Sequence, residues 1–164
     1  ALRYNTGDDV ENCYKQGVTV SFAQWDASGV SEYLESENTP ADYVDTFDKN
    51  FDAKATTSIT PKWDNTADNE TKLERIITQK WLAIYPEGCE AWAEQRRTGY
   101  PKLFKVVVNN SSNAISTDDM IRRVFFNQDY ITNNKPLYDA LVSKLGGLDT
   151  GGTRLWWDTG RNNF

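Results

Sequence analysis

The sequence has no histidine among its 164 residues. That removes the commonest general base and the commonest metal ligand. It has only two cysteines, Cys13 and Cys89, which match no zinc spacing. Each falls near an apolar helix face. Both are therefore expected as free buried thiols, with a disulfide as the alternative in an oxidising compartment. No apolar run approaches a membrane span, and no stretch reads as a signal peptide. Basic charge is scarce as well: 18 Lys and Arg stand against 24 Asp and Glu, a net charge of −6. A nucleic-acid binder would need a basic face, and an anionic membrane would repel this one. Met120 is the single methionine. The chain is accordingly expected to be a processed product, an engineered chain or a fragment.

Aromatic residues, at 13%, are abundant, with six Trp and eight Tyr. Such enrichment often marks stacking or interface surfaces. Apolar residues recur at helical spacing over 8–26, at Val10, Cys13, Tyr14, Gly17, Val18, Phe22 and Trp25. Asp8 and Glu11 suggest a capping box there. "SGVSEYLES" reads as a shorter helix capped by Ser28 or Ser31. Residues 45–70 are polar, without helical period, and read as a long loop with room for a short strand near Ile59. "NETKLERIITQKWLAIYP" puts Leu73, Ile76, Ile77, Trp81, Ile84 and Tyr85 on one stripe, and Pro86 stops it. "CEAWAEQRRTG" forms the next helix, with Trp92 inward and Gly99 as its end. The short break between them predicts a tight helix pair. "LFKVVV" and "IRRVFF" read as strands of a small hairpin. "NNKPLYDALVSKLGG" is a last helix, capped by Asn133 or Asn134, with Pro136 in its first turn and Gly146 and Gly147 at its end. The expected class is mainly α, with long loops and one small hairpin, over a single segment 1–164.

No nucleotide loop, zinc spacing or Ser/Cys/His constellation is present in the sequence. Trp63, in the polar loop "TPKWDNT" beside Asp64 and Asn65, suits stacking on a sugar ring. It equally suits folding back to anchor its own loop. Tyr43 in "PADYVD" is a weaker candidate of the same kind. Trp81 and Trp92 are expected in the core. Of Arg96 and Arg97, one is expected to pair with a carboxylate of another element and the other to be solvated. One of Trp156 and Trp157 is expected to plug the core. The Asp- and Asn-dense stretches 42–52 and 64–70 offer oxygens for calcium but match no EF-hand loop. No metal, cofactor or catalytic residue is therefore assigned.

"IITQKWLAIYPEGCEAWAEQRRTGYPKL" resembles the conserved segment of SusD/RagB-type outer-membrane proteins of Bacteroidetes, through its "EAWAE-RRTGYP" pattern. "YKQGVTVSFAQW", "IRRVFFNQDYITNN" and "TRLWWD" are similar to the same family in the same order. The resemblance implies the C-terminal part of a SusD-like protein, whose fold is a tetratricopeptide-like helical scaffold. It implies a cell-surface, outer-membrane location, with the lipid anchor in an N-terminal part. It implies non-catalytic capture of oligosaccharides as the lid of a SusC-like TonB-dependent transporter. Its partners would be the glycan, that transporter and the N-terminal half of the same protein. A helical protein-interaction module without a sugar ligand is the alternative, and a glycoside hydrolase the more remote one. A partial scaffold of this kind is expected to expose apolar helix faces and to be marginally stable or self-associating.

Overall fold

The computed structural model describes residues 1–160 and 163–164. The chain divides into two compact units. The first comprises residues 1–43, 54–104 and the C-terminal end, and the second residues 44–53 and 105–161.

The first unit holds four helices: α1 (Val10–Gln24), α2 (Val30–Leu34), α3 (Asn69–Ala83) and α4 (Gly88–Thr98). Side-chain carboxylates start the two longest. Asp9 caps α1 by accepting from Asn12 N at 2.7 Å, and Asp68 caps α3 by accepting from Thr71 N at 2.7 Å. The cap of α1 is thus Asp9 and not Asp8. α2 is entered through Gly29 in the left-handed region, not through a serine cap. α4 stops where Gly99 turns left-handed at φ 79°.

α1 packs on α2 and α3, and the core lies between them. Tyr14, Val18 and Trp63 are buried together, with Val10, Phe22, Tyr33, Leu34 and Ile76 against them. Leu73 and Ile77 of α3 are buried too. Several polar groups of this unit find partners within it. Glu74 accepts a hydrogen bond from Thr57 and pairs with Lys102 at 2.9 Å. Asn163 donates to Glu70 and to the carbonyl of Thr98. α3 and α4 are bridged by Lys80, which reaches Glu90 at 2.9 Å and Glu94 at 3.2 Å. The connection spans Ile84–Glu87, longer than the two-residue break read from the sequence.

The second unit holds α5 (Gln128–Asn133) and α6 (Lys135–Leu145), which pack on each other. Asn134 caps α6 by accepting from Leu137 N, Pro136 sits in the first turn, and Gly146 ends the helix. A 3-10 turn at Lys49–Phe51 also belongs here.

The expected hairpin is absent: among the described residues "LFKVVV" and "IRRVFF" form no ladder. The reason lies in Arg122 and Arg123. Their backbone N–H groups both donate to Gly151 O, and their side chains are buried in ion pairs. Arg122 Nε and Nη2 donate to Asp158 at 2.7 and 2.6 Å. Arg154 joins the same carboxylate at 2.7 Å, and Asp119 receives both Arg122 and Arg154. Arg123 pairs with Asp149 and stacks at 4.6 Å over the Phe126 ring. Apart from Gly151, every described residue buried in this unit is one of Arg122, Arg123 and Asp158, so its centre is ionic rather than apolar. Neither expected tryptophan plugs it. Trp156 is 90% exposed and Trp157 is also exposed, while Asp158 beside them is buried.

The turn at Gly151 and Gly152 is sterically closed. A Cβ on Gly152 would lie 2.4 Å from the carbonyl oxygen of Ala114. Backbone cannot yield cheaply there, so Gly152→Ala is expected to destabilise by about 1–3 kcal/mol. A thermal-melt midpoint unchanged in that variant would contradict the close approach.

Candidate functional site

The loop from Thr60 to Asp68 is held down by its own side chains and by α1. Trp63 turns its ring into the core, 5.1 Å from the Tyr14 ring centroid and tilted by 36°. Tyr14 in turn donates its hydroxyl to Pro61 O at 2.5 Å. Burial pushes the Tyr14 phenol well above the ordinary tyrosine range, so it is a permanent donor. Trp63 Nε1 donates to Asn65 Oδ1 at 3.0 Å, and Asn65 Nδ2 donates to Glu11 Oε2 at 2.6 Å. Asp64 Oδ1 accepts from both N and Oγ1 of Thr66, at 2.8 and 2.6 Å. Those hydrogen bonds hold the Asp64 carboxyl below its ordinary range, so it stays ionised.

Trp63, Asp64 and Asn65 share a polar recess of about 430 Å³ with Glu37, Thr60, Lys62 and Arg75. Lys62 is tied to Glu37 at 2.6 Å. Arg75 comes from α3 and is buried, with Nε donating to Thr60 O at 3.0 Å. Its Nη1 is buried without a hydrogen-bond partner. Sequence reasoning missed Arg75 because the stripe Leu73, Ile76, Ile77 pointed elsewhere. The turn of α3 that buries Leu73 and Ile77 buries Glu74 and Arg75 as well. The periodicity carries no signal for that.

Tyr43 does not line this recess. Its ring is 48% exposed and lies 6.4 Å from that of Phe104. Of the four expected ligand residues, three are brought together and Tyr43 is apart. Trp63 lines the recess but is only 9% exposed. Its buried ring serves the anchoring role first.

Several expectations need correction. Cys13 and Cys89 are exposed free thiols, because Cys13 borders an open recess on α1 and Cys89 sits in the first turn of α4. Trp81 is exposed. Trp92 is half-buried beneath the Arg96 guanidinium, at 3.7 Å. Arg97 is half exposed and pairs with Glu94 of its own helix at 2.7 Å. The acidic stretch 42–52 spends its carboxylates on its own chain: Asp42 on Lys54 and Ala55 N, Asp45 on the amides of Phe47 and Asp48, and Asp48 on that of Asn50.

The class of the chain, that of a mainly helical outer-membrane lipoprotein family, is shown by comparison with known proteins. Residues 1–158 match the SusD-like family of SusD and RagB outer membrane lipoproteins, and the chain belongs to that family. Among solved structures, it is similar to a chitin-binding SusD homologue from Flavobacterium johnsoniae, with 45% identity and a TM-score of 0.92. That match covers 100% of this chain and 34% of the homologue. A SusD homologue from Bacteroides vulgatus is 52% identical, with a TM-score of 0.87, and the match covers 99% of this chain and 32% of that one. One from Bacteroides thetaiotaomicron is 40% identical, with a TM-score of 0.86, over 98% and 36%. The chain thus spans about a third of the length of these relatives. No curated protein matches it. No helix among the described residues is long and apolar enough to cross a membrane.

Proposed function

We propose that this chain is part of a non-catalytic glycan-capture protein at the outer-membrane surface, working with a SusC-like TonB-dependent transporter. The observation that carries the reading is the likeness of this chain, over its whole length and 34% of the other, to a chitin-binding SusD homologue. The polar recess supports it. A sugar needs hydroxyl partners around an apolar ring face, and Asp64, Asn65 and Arg75 stand around the edge of Trp63. Tyr43 offers a second, separate ring. The lipid anchor, the transporter contact and the remainder of the scaffold belong to the whole SusD-like polypeptide in this reading.

Affinity electrophoresis through gels containing soluble polysaccharides, glycol chitin among them, tests it. One glycan is expected to retard the protein without release of reducing ends. Asp64→Ala and Tyr43→Ala, which leave the core rings in place, are expected to weaken that retardation several-fold. Retardation that persists undiminished in both variants would remove these residues from the site. Reducing-sugar release abolished by a single Asp or Glu substitution would replace the reading with a hydrolase.

A further inference from the structure

Arg75, Arg122 and Arg123 are the arginines buried among the described residues. Two of them hold carboxylates: Arg122 pairs with Asp158, and Arg123 with Asp149. Arg75 differs. Its Nε donates to Thr60 O at 3.0 Å, but among the described residues no carboxylate forms an ion pair with it. Its Nη1 is buried without a hydrogen-bond partner. A buried charge left unpaired is costly, and a buried N–H left unbonded adds to that cost. The polar recess that Arg75 lines therefore has an unmet demand for an acceptor, and an anionic acceptor answers it best.

The other groups of the recess do not meet that demand. Asn65 spends its Oδ1 on Trp63 Nε1 and its Nδ2 on Glu11. The Thr60 carbonyl is already taken by Arg75 Nε. Asp64 and Glu37 are exposed, so water serves whatever their own partners leave open. Lys62 is the second cation of the recess. Its tie to Glu37 joins side chains 42% and 75% exposed, and such rim pairs are weak enough to be exchanged for a ligand anion. The volume of about 430 Å³ lies within the range of small-ligand pockets.

We propose that this recess takes the carboxylate of a uronic acid onto Arg75, with Lys62 as a second contact. The carboxylate of a uronate stands off its ring. It reaches the buried guanidinium while the ring hydroxyls stay near Asp64 and Asn65. The proposal rests on the glycan-capture reading and names the glycan's class: acidic rather than neutral.

Affinity electrophoresis through gels containing polygalacturonate, alginate or hyaluronan, each beside its methyl-esterified form, tests it. Each pair shares a backbone and differs in charge. The protein carries a net charge of −6, so a polyanion repels it in general and retardation has to come from a local site. At least one polyuronate is expected to retard it. The ester form is expected to bind about tenfold more weakly, the size of one lost charge-assisted hydrogen bond. Arg75→Gln is expected to erase the preference for acid over ester. Lys62→Gln, at the rim, is expected to reduce it, and decides the matter if a thermal melt shows Arg75→Gln unfolded. Equal retardation by acid and ester, or retardation by neutral glycans alone, would overturn the acidic class and leave glycan capture standing. A preference unchanged in both variants would likewise overturn it. No retardation by any polysaccharide, acidic or neutral, would remove both readings.

Discussion

Trp63→Ala is expected to cost about 3–5 kcal/mol of folding free energy. The indole is buried against Tyr14 and ties the loop to α1. Its removal leaves a cavity beside Tyr14. It also breaks the chain of hydrogen bonds from Trp63 Nε1 through Asn65 to Glu11. Trp63→Phe keeps a ring in the core and loses mainly the Nε1 bond, so a smaller loss, about 1 kcal/mol, is expected. Urea titrations of both variants measure this. A loss below about 1 kcal/mol for Trp63→Ala would mean that the indole is not a core member. It would then be free for ligand stacking, the other role the sequence leaves open. The outcome also governs the glycan experiments: binding lost in Trp63→Ala would report unfolding unless the variant is shown to be folded.

Asp158→Ala is expected to destabilise by about 3–5 kcal/mol, the usual effect of removing one partner from a buried ion pair. Arg122 would be left buried without its two bonds to Asp158, while Asp119 still pairs with it at 3.0 Å. Replacing Arg122 and Asp158 together by apolar residues of similar volume is expected to restore much of the loss, because the isolated charge is then gone. The pair has a pH signature as well. Burial alone would raise the Asp158 pKa, but the hydrogen bonds and charges of Arg122 and Arg154 outweigh it and hold the carboxyl below its ordinary range. A depressed carboxyl favours the folded state above the unfolded value, about 3.9. That contribution is complete at neutral pH and fades as pH falls through the folded-state pKa. The wild-type protein is therefore expected to lose stability on acidification below about pH 4, and Asp158→Ala to show a shallower loss over the same window. Parallel stability–pH curves for the two proteins would rule out Asp158 as a source of the acid sensitivity.

Much of the helical frame was readable in the residues. Helical periodicity and capping chemistry are local: Asn134 and Pro136 at α6, and Gly99 and Gly146 at helix ends act within one turn. The order of four short motifs carried the family, because a fold's recurring segments are retained in sequence. Burial was less readable. Cys13, Trp25 and Trp81 sit on apolar stripes yet are exposed, because an amphipathic stripe says that a face wants covering and not that anything covers it. "IRRVFF" has strand composition, but its arginines found carboxylates about 26 and 36 residues away, at Asp149 and Asp158. Those pairings outcompeted a ladder.

The candidate site divides in the same way. Trp63, Asp64 and Asn65 are neighbours in sequence, so their proximity was never in doubt. The arrival of Arg75 from α3, the separation of Tyr43 and the burial of the indole depend on how α1 and α3 meet. The sequence by itself determined that α1 to α4 and α6 exist, and the family, since those follow from interactions a few residues long and from segment order. Tertiary structure alone decided which aromatic rings face solvent, which charges are buried and which residues share a recess. Those outcomes depend on partners distant in the chain, and no local pattern encodes which distant partner wins.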